Sequence, residues 1–585
     1  MRVGRVLLAA VLAWASAACG TLASGLSAPA DVPAPSRSDA VPDLDLTLVL
    51  RTRPTLRLDL ELAFDGSDDG ETTFGVSETW GGVGAERTDL VGWRARTLQG
   101  ERLELQPEGE HGHRVSHDPG ARLVVSGTLH ANDLLGSFDS QDRYRPVLER
   151  DRFHAIGHLL LPLPTHLHWD AACDLSLRYD GFDDAGWAAH SSYGPGEQPV
   201  WIRTSLSDLR ASLFAGGELD VHTRPLPGGT LTVTLDANDW RFDGDVFADL
   251  AADVIARERR FMGDLEAGEY WVSMVSVGPP QPKGLSFGGT GLSDCFALFV
   301  QPDLEIALGT KGGLPIRRLL AHECFHEWNG RTIRLADPEE PNYWFSEGFT
   351  DYFARAILRE AGWLDEQAWL DSLNQTLRDY GTNPHRDLPA EPLGALFWED
   401  GDAQQLPYLR GDLAAMLVDH GIRGRSGGSQ DLSVVMTELL AEARNGAGPV
   451  TADDLLERFE AHAGPAVVAR VRRLVVDGVM PALPQDLVGE AYAVEQALVH
   501  EWEPGFDVEG SLEGRRVQGV VRGSAAHDAG LRNGQELAGW SVHRGDAERP
   551  IELQVRERGH ARTISWYPRG AATEVPRIER VQRSV

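Results

Sequence analysis

Arg317-Arg318-Leu319-Leu320-Ala321-His322-Glu323-Cys324-Phe325-His326-Glu327-Trp328-Asn329 is the stretch on which the reading of this chain turns. It contains His-Glu-x-x-His. On a helix, residues four apart share a face, one turn above each other. His322 and His326 can therefore grip one metal ion from the same side, and Glu323 lies beside that face, within reach of a water on the metal. Leu319, Leu320, Phe325 and Trp328 make the helix apolar, so this is a buried face. Two imidazoles on a buried helix need partners, and a metal supplies them. Neutral imidazoles suit zinc, and a hydrolytic site needs three protein ligands with a fourth position open. A third ligand is available in Trp344-Phe345-Ser346-Glu347-Gly348-Phe349-Thr350-Asp351-Tyr352. This segment reads as an apolar helix from about residue 343 to 360, with Glu347 in its first turns. Asp351, one turn on, can accept a hydrogen bond from His322 and fix its orientation. The bland alternative is that Glu347 and Asp351 form ordinary salt bridges near a helix start.

These two segments resemble the glycyl aminopeptidase family of zinc metallopeptidases, in the thermolysin-like group. The resemblance implies one zinc ion on His322, His326 and Glu347, with Glu323 as general base. Pro407-Tyr408-Leu409-Arg410-Gly411-Asp412 is similar to the tyrosine-x-lysine-glycine helix start of that family, with Arg410 at the lysine. It implies that Tyr408 stabilises the oxyanion. The chain departs from the family before the metal helix. A glycine-glycine-leucine-glutamate-histidine run is usual there, and its glutamate holds the substrate's amino group. Here Phe287-Gly288-Gly289-Thr290-Gly291-Leu292-Ser293-Asp294 keeps the glycine pair without the glutamate. Gly288 and Gly289 allow close backbone approach to substrate, and Asp294 is the nearest acid. Residues 296 to 300 read as the strand that pairs with extended substrate along the cleft.

With 585 residues the chain is long enough for three or four domains. A net charge of −33 argues against nucleic-acid binding and against attraction to anionic lipid. Residues 1–19 carry Arg2 and Arg5, an apolar run too short to span a bilayer, and Ser16-Ala17-Ala18-Cys19. They read as a lipoprotein-type signal with Cys19 as the acylated residue, or as an ordinary secretory signal. The first reading places the protein in a bacterial cell envelope, on a membrane through its lipid. Cys173 and Cys295 could pair or remain free thiols.

The expected architecture is multidomain α+β. After the signal comes an Ala/Pro/Ser-rich tether over 20–43. Alternating apolar residues over 44–240 predict an antiparallel β domain, most simply a sandwich. Over 241–485 the period becomes helical, and a thermolysin-like α-rich catalytic domain is expected. Residues 495–570 resemble a PDZ-like domain, with a polar tail over 571–585. The function so implied is peptide-bond hydrolysis, of aminopeptidase type. The alternatives are an endopeptidase or oligopeptidase on the same site, and a non-catalytic envelope scaffold that binds peptides through the PDZ-like domain.

Overall fold

The computed structural model describes residues 42–581, apart from 81–82, 110, 133–142, 198, 237–239, 279–286, 544 and 558–559. The signal, Cys19 and nearly all of the tether lie outside the described residues. Among those described, no helix is long and apolar enough to cross a membrane.

The N-terminal domain follows a period of two. In β2 (Arg57–Asp65), which pairs with β1 (Leu44–Arg51), Leu58, Leu60, Leu62 and Phe64 are buried and the residues between them are partly exposed. The main strands continue as β3 (Leu90–Thr97), β4 (Arg122–His130), β5 (Arg152–Ile156), β6 (Cys173–Asp180), β7 (Val200–Thr204) and β8 (Leu213–Gly217). One sheet runs β7-β6-β1-β2-β4-β3 and ends on Arg102–Leu103. Its β1 and β6 are parallel, so the domain is not purely antiparallel as expected. A second, five-stranded sheet contains β5 and β8. Its alternate residues face two different interiors. Phe153, Ala155 and Phe214 join the core of the N-terminal domain, while Ile156, Leu213 and Ala215 pack with Trp271, Val275, Ala297 and Phe299 of the next domain.

The catalytic domain begins earlier than residue 241. β9 (Leu219–Leu226) and β10 (Gly229–Asp236) form a hairpin that belongs to its sheet. Alternation alone could not assign that hairpin, because it is the same signal in both domains. α1 (Gly244–Met262) follows, then β11 (Tyr270–Ser276), β12 (Phe287–Leu292) and β13 (Cys295–Val300). The order is β9-β10-β11-β13-β12. Hence β13, the strand expected to line the cleft, is held on both sides by β11 and β12. The edge is β12, which carries the glycines.

Against this sheet pack α2 (Gly313–Phe325), a π-helical stretch Trp344–Phe349 that runs into α3 (Thr350–Glu360), and α4 (Glu366–Thr382). Next come α5 (Ala390–Leu396), α6 (Gly401–Ser426), α7 (Ser433–Arg444), α8 (Ala452–Ala463) and α9 (Pro465–Val475). α5 lies in a proline-bearing stretch not expected to be helical; Pro392 sits in its first turn, where the missing N–H costs little. α6 starts six residues before Pro407, capped by Asp400, which accepts from the N–H groups of Asp402 and Ala403. Tyr408 is therefore not at a helix start; it stands more than a turn inside.

Residues 571–580 are not a loose tail. β14 (Tyr492–Trp502) pairs along its length with the final strand, Arg569–Arg580. That ribbon is fastened to α4: Asn374 donates to the carbonyl of Ile578 at 2.9 Å and accepts from its N–H at 2.7 Å. Tyr492, Val494 and Ile578 join the catalytic core. Between the two strands a small module has its own core, built on Leu531, Ile551, Leu553, Val555 and Trp566.

The tightest crossing in the catalytic domain is between α6 and the π-helical stretch. A Cβ on Gly411 would lie 1.7 Å from the carbonyl oxygen of Trp344, and one on Gly348 would lie 2.3 Å from the Cα of Gly411. Gly424, on the same helix, has open space where a Cβ would go. Gly411→Ala is expected to lower stability by ~2 kcal/mol or more in urea unfolding. Gly424→Ala should raise it by up to about 1 kcal/mol, through helix propensity alone.

Candidate metal centre

α2 delivers both histidines. His322 is in its last turn and His326 caps its end. Nδ1 of His322 donates to Oδ1 of Asp351 at 3.0 Å, and Nδ1 of His326 donates to the carbonyl of Asn329 at 2.9 Å. A carbonyl and an ionised carboxylate only accept, so these bonds place both imidazole protons on Nδ1. The two Nε2 atoms then present lone pairs to each other at 3.1 Å.

Glu347 completes the triangle. Its Oε2 lies 3.4 Å from Nε2 of His322 and 3.5 Å from Nε2 of His326, is buried, and has no hydrogen-bond partner. Ligand atoms ~2.05 Å from a tetrahedral ion stand about 3.3 Å apart. The three separations bracket that figure. With the imidazoles neutral, two facing lone pairs and a buried carboxylate oxygen repel unless a cation sits among them; without one, the Glu347 and Asp351 carboxylates outweigh burial and favour protonated imidazoles. The donor set thus fits zinc. Among the described residues, this is the one group of three or more such side chains able to hold a metal.

The surrounding chain fixes the triangle. Nδ2 of Asn329 donates to the carbonyls of Phe345 and Ser346 and to Oγ1 of Thr350, clamping the end of the metal helix onto the helix that carries Glu347. The π-helical segment around Glu347 is of the kind often found at functional sites. Arg355 of α3 makes a buried two-pronged pair with Asp412 of α6, which also accepts from Thr376 of α4 at 2.9 Å. Arg410 is almost wholly buried and donates to the carbonyls of Arg386 and Leu388. Its role in the structure is to hold the proline-rich connection against α6.

Glu323 is 2% exposed, and its Oε1 has no hydrogen-bond partner. Burial, partly offset by the two imidazoles, pushes its carboxyl up to about 7. The N–H of Gly291 reaches that carboxylate. A Cβ at Gly291 would stand 3.2 Å from the Glu323 carbonyl, so a side chain there would push β12 a few tenths of an ångström from the metal helix. For Asp351, burial acts upward, but Arg318 at 3.4 Å and His322 outweigh it and hold the carboxyl at about 2. Asp351 therefore stays an acceptor for His322. The ring of Tyr408 lies nearly parallel to that of His322, with centroids 6.0 Å apart.

The substrate-binding residues read from sequence fare differently. Gly288 and Gly289 lie on β12, the edge strand. Asp294 sits on the β12–β13 turn with φ 51° and faces Arg331 at 3.5 Å. Arg331 also bonds Glu327 at 2.7 Å, Asp208 at 3.3 Å and Ser293. Cys324 is buried beside Tyr270, away from the ligand atoms, and Cys173 and Cys295 are free thiols. Sequence reasoning missed Tyr144. This N-terminal-domain side chain donates from its hydroxyl to the Gly289 carbonyl at 3.3 Å, and no local pattern marks it.

The sequence model of the M61 glycyl aminopeptidase family matches residues 316–390, which span the metal helix, Glu347 and Asp351. No curated protein matches the chain in sequence. Among solved structures, an aminopeptidase N family protein from Idiomarina loihiensis aligns over 92% of this chain and 98% of its own, with a TM-score of 0.68 at 15% identity, which shows a shared fold. The M1 zinc metallopeptidase of Deinococcus radiodurans, as a variant bound to a Tyr-Ser-Ala substrate, covers 76% of this chain and 94% of its own, with a TM-score of 0.46 at 18% identity.

Asp351→Ala should weaken zinc binding 10–100-fold in chelator competition, because an unanchored imidazole is a poorer ligand. His322→Ala and Glu347→Ala should each abolish tight one-to-one binding.

Proposed function

We propose that this chain, a metallopeptidase similar to the glycyl aminopeptidases over residues 316–390, is a zinc-dependent aminopeptidase. The observation that carries the reading is the triangle of His322, His326 and Glu347 atoms, with the Glu323 carboxylate beside it. A zinc ion held there supplies a Lewis acid and lowers the pKa of water at the open position.

The protein's own groups do the rest. Glu323 takes the proton of the attacking water and passes it to the departing amine. The Tyr408 hydroxyl donates to the developing oxyanion. Asp351 keeps His322 in one tautomer and one orientation. Gly288 and Gly289 let the substrate backbone approach β12. Asp294 is the acid on the β12–β13 turn that would receive the substrate's ammonium group, beside its contact with Arg331.

One observation favours an endopeptidase instead. The Asp294 carboxylate already faces Arg331, and the family's amine-binding glutamate is missing. Residues 1–19 fit an export signal with acylation at Cys19, which would tether the enzyme to a bacterial membrane. Within residues 495–570 we read the module between the two ribbon strands as PDZ-like. The separate core around Leu531 and Leu553 supports a folding unit, without bearing on peptide binding.

Glu323→Gln should keep zinc yet lose at least 10³-fold in kcat. Tyr408→Phe should lose about 10²-fold in kcat with little change in KM. Free peptides should be cleaved and their N-acetylated forms spared; equal cleavage of both would establish the endopeptidase.

A further inference from the structure

Tyr144 belongs to the N-terminal domain in sequence, yet it is packed on the catalytic sheet. Its ring meets Phe299 edge-on with centroids 5.5 Å apart, and its hydroxyl donates to the carbonyl of Gly289 at 3.3 Å. Only 4% of the residue is exposed. Burial, with the Glu323 carboxylate adding to it, pushes the phenol up to about 12, so the group is a donor throughout the working range.

In a strand, residues two apart turn their backbone polar groups to the same side. Gly289 and Gly291 are two apart on β12. The N–H of Gly291 faces the Glu323 carboxylate, and the carbonyl of Gly289 accepts from Tyr144. Both groups lie on the edge away from β13. The next main-chain acceptor along that edge from Gly289 to the catalytic base, about 6.7 Å from Gly291, is thus held by a side chain from another domain.

A peptide that adds to an edge strand is held by successive main-chain hydrogen bonds. β12 ends at Leu292, one residue beyond Gly291, and the chain then turns at Ser293–Asp294 over Arg331. Resting on the aminopeptidase reading, the single residue before the scissile bond fits at that closed end. The departing residues then run toward Gly289. We propose that Tyr144 is a specificity-determining residue that limits the departing part of the substrate. Its hydroxyl competes for the edge acceptor that a longer chain would use, which makes short peptides, of two or three residues, the preferred substrate class.

The test uses the full-length, zinc-loaded protein and unblocked alanine peptides of two to six residues. The wild type should be most efficient on the di- and tripeptide. Tyr144→Phe keeps the ring on Phe299 and frees the Gly289 carbonyl. It should lower KM for the penta- and hexapeptide about 5-fold, with kcat and the dipeptide KM unchanged. Tyr144→Ala should shift the length profile the same way. An unchanged length profile in a Phe variant that melts like the wild type would overturn the proposal, and so would an equal loss at every length. Internal cleavage of N-acetylated hexa-alanine by the wild type would instead defeat the aminopeptidase reading, and this proposal with it.

Discussion

Two neutral imidazole nitrogens 3.1 Å apart, with a buried carboxylate oxygen facing both, are an arrangement that resists itself unless a cation is shared among them. Each of the three would rather turn to water or to a donor. They stay because each histidine is tied through its other nitrogen, one to a carboxylate and one to a main-chain carbonyl. The helix carrying the carboxylate is likewise bound to the helix carrying the histidines. The catalytic domain can be understood as the scaffold that enforces this geometry.

Enforcement comes from a few unusual contacts. Asn329 bridges the two ligand-bearing segments through one amide nitrogen, whose two N–H groups are shared among three acceptors. Gly348 and Gly411 remove side chains where the π-helical segment crosses α6, which also brings Tyr408 alongside His322. The buried pair of Arg355 and Asp412 then links α3 to α6. Such a pair adds little net stability over a hydrophobic pair of the same size, but breaking one half would strand a charge. Its contribution here is register between helices that each bear a working side chain.

The metal triangle was legible in sequence because its logic is local. The four-residue spacing fixes the two histidines, and the apolar helix after Trp344 presents the glutamate. The β and helical halves were legible by period. What failed to show was non-local. Hairpin Leu219–Asp236 alternates like the strands before it, and only pairing with Tyr270–Ser276 assigns it to the later sheet. Residues 296–300 read as the cleft strand, since apolar sequence cannot distinguish an inner strand from its edge neighbour. The final strand reads as a tail because it is largely polar itself and its partner, Tyr492–Trp502, is some eighty residues away. Tyr144 was invisible for the same reason: its partner is separated by 145 positions.

The sheet made of β5 and β8 has a corollary for descent. Its residues alternate between two interiors, so one face completes the first domain and the other is roofed by Trp271, Val275 and Phe299. Neither lobe has a dry exterior surface of its own at that seam. A recombination breakpoint between them would expose apolar interior on both daughters at once. The β lobe and the helical lobe are therefore expected to be inherited as a single block, with new modules accepted at the C-terminal ribbon, where the chain leaves and re-enters on adjacent strands.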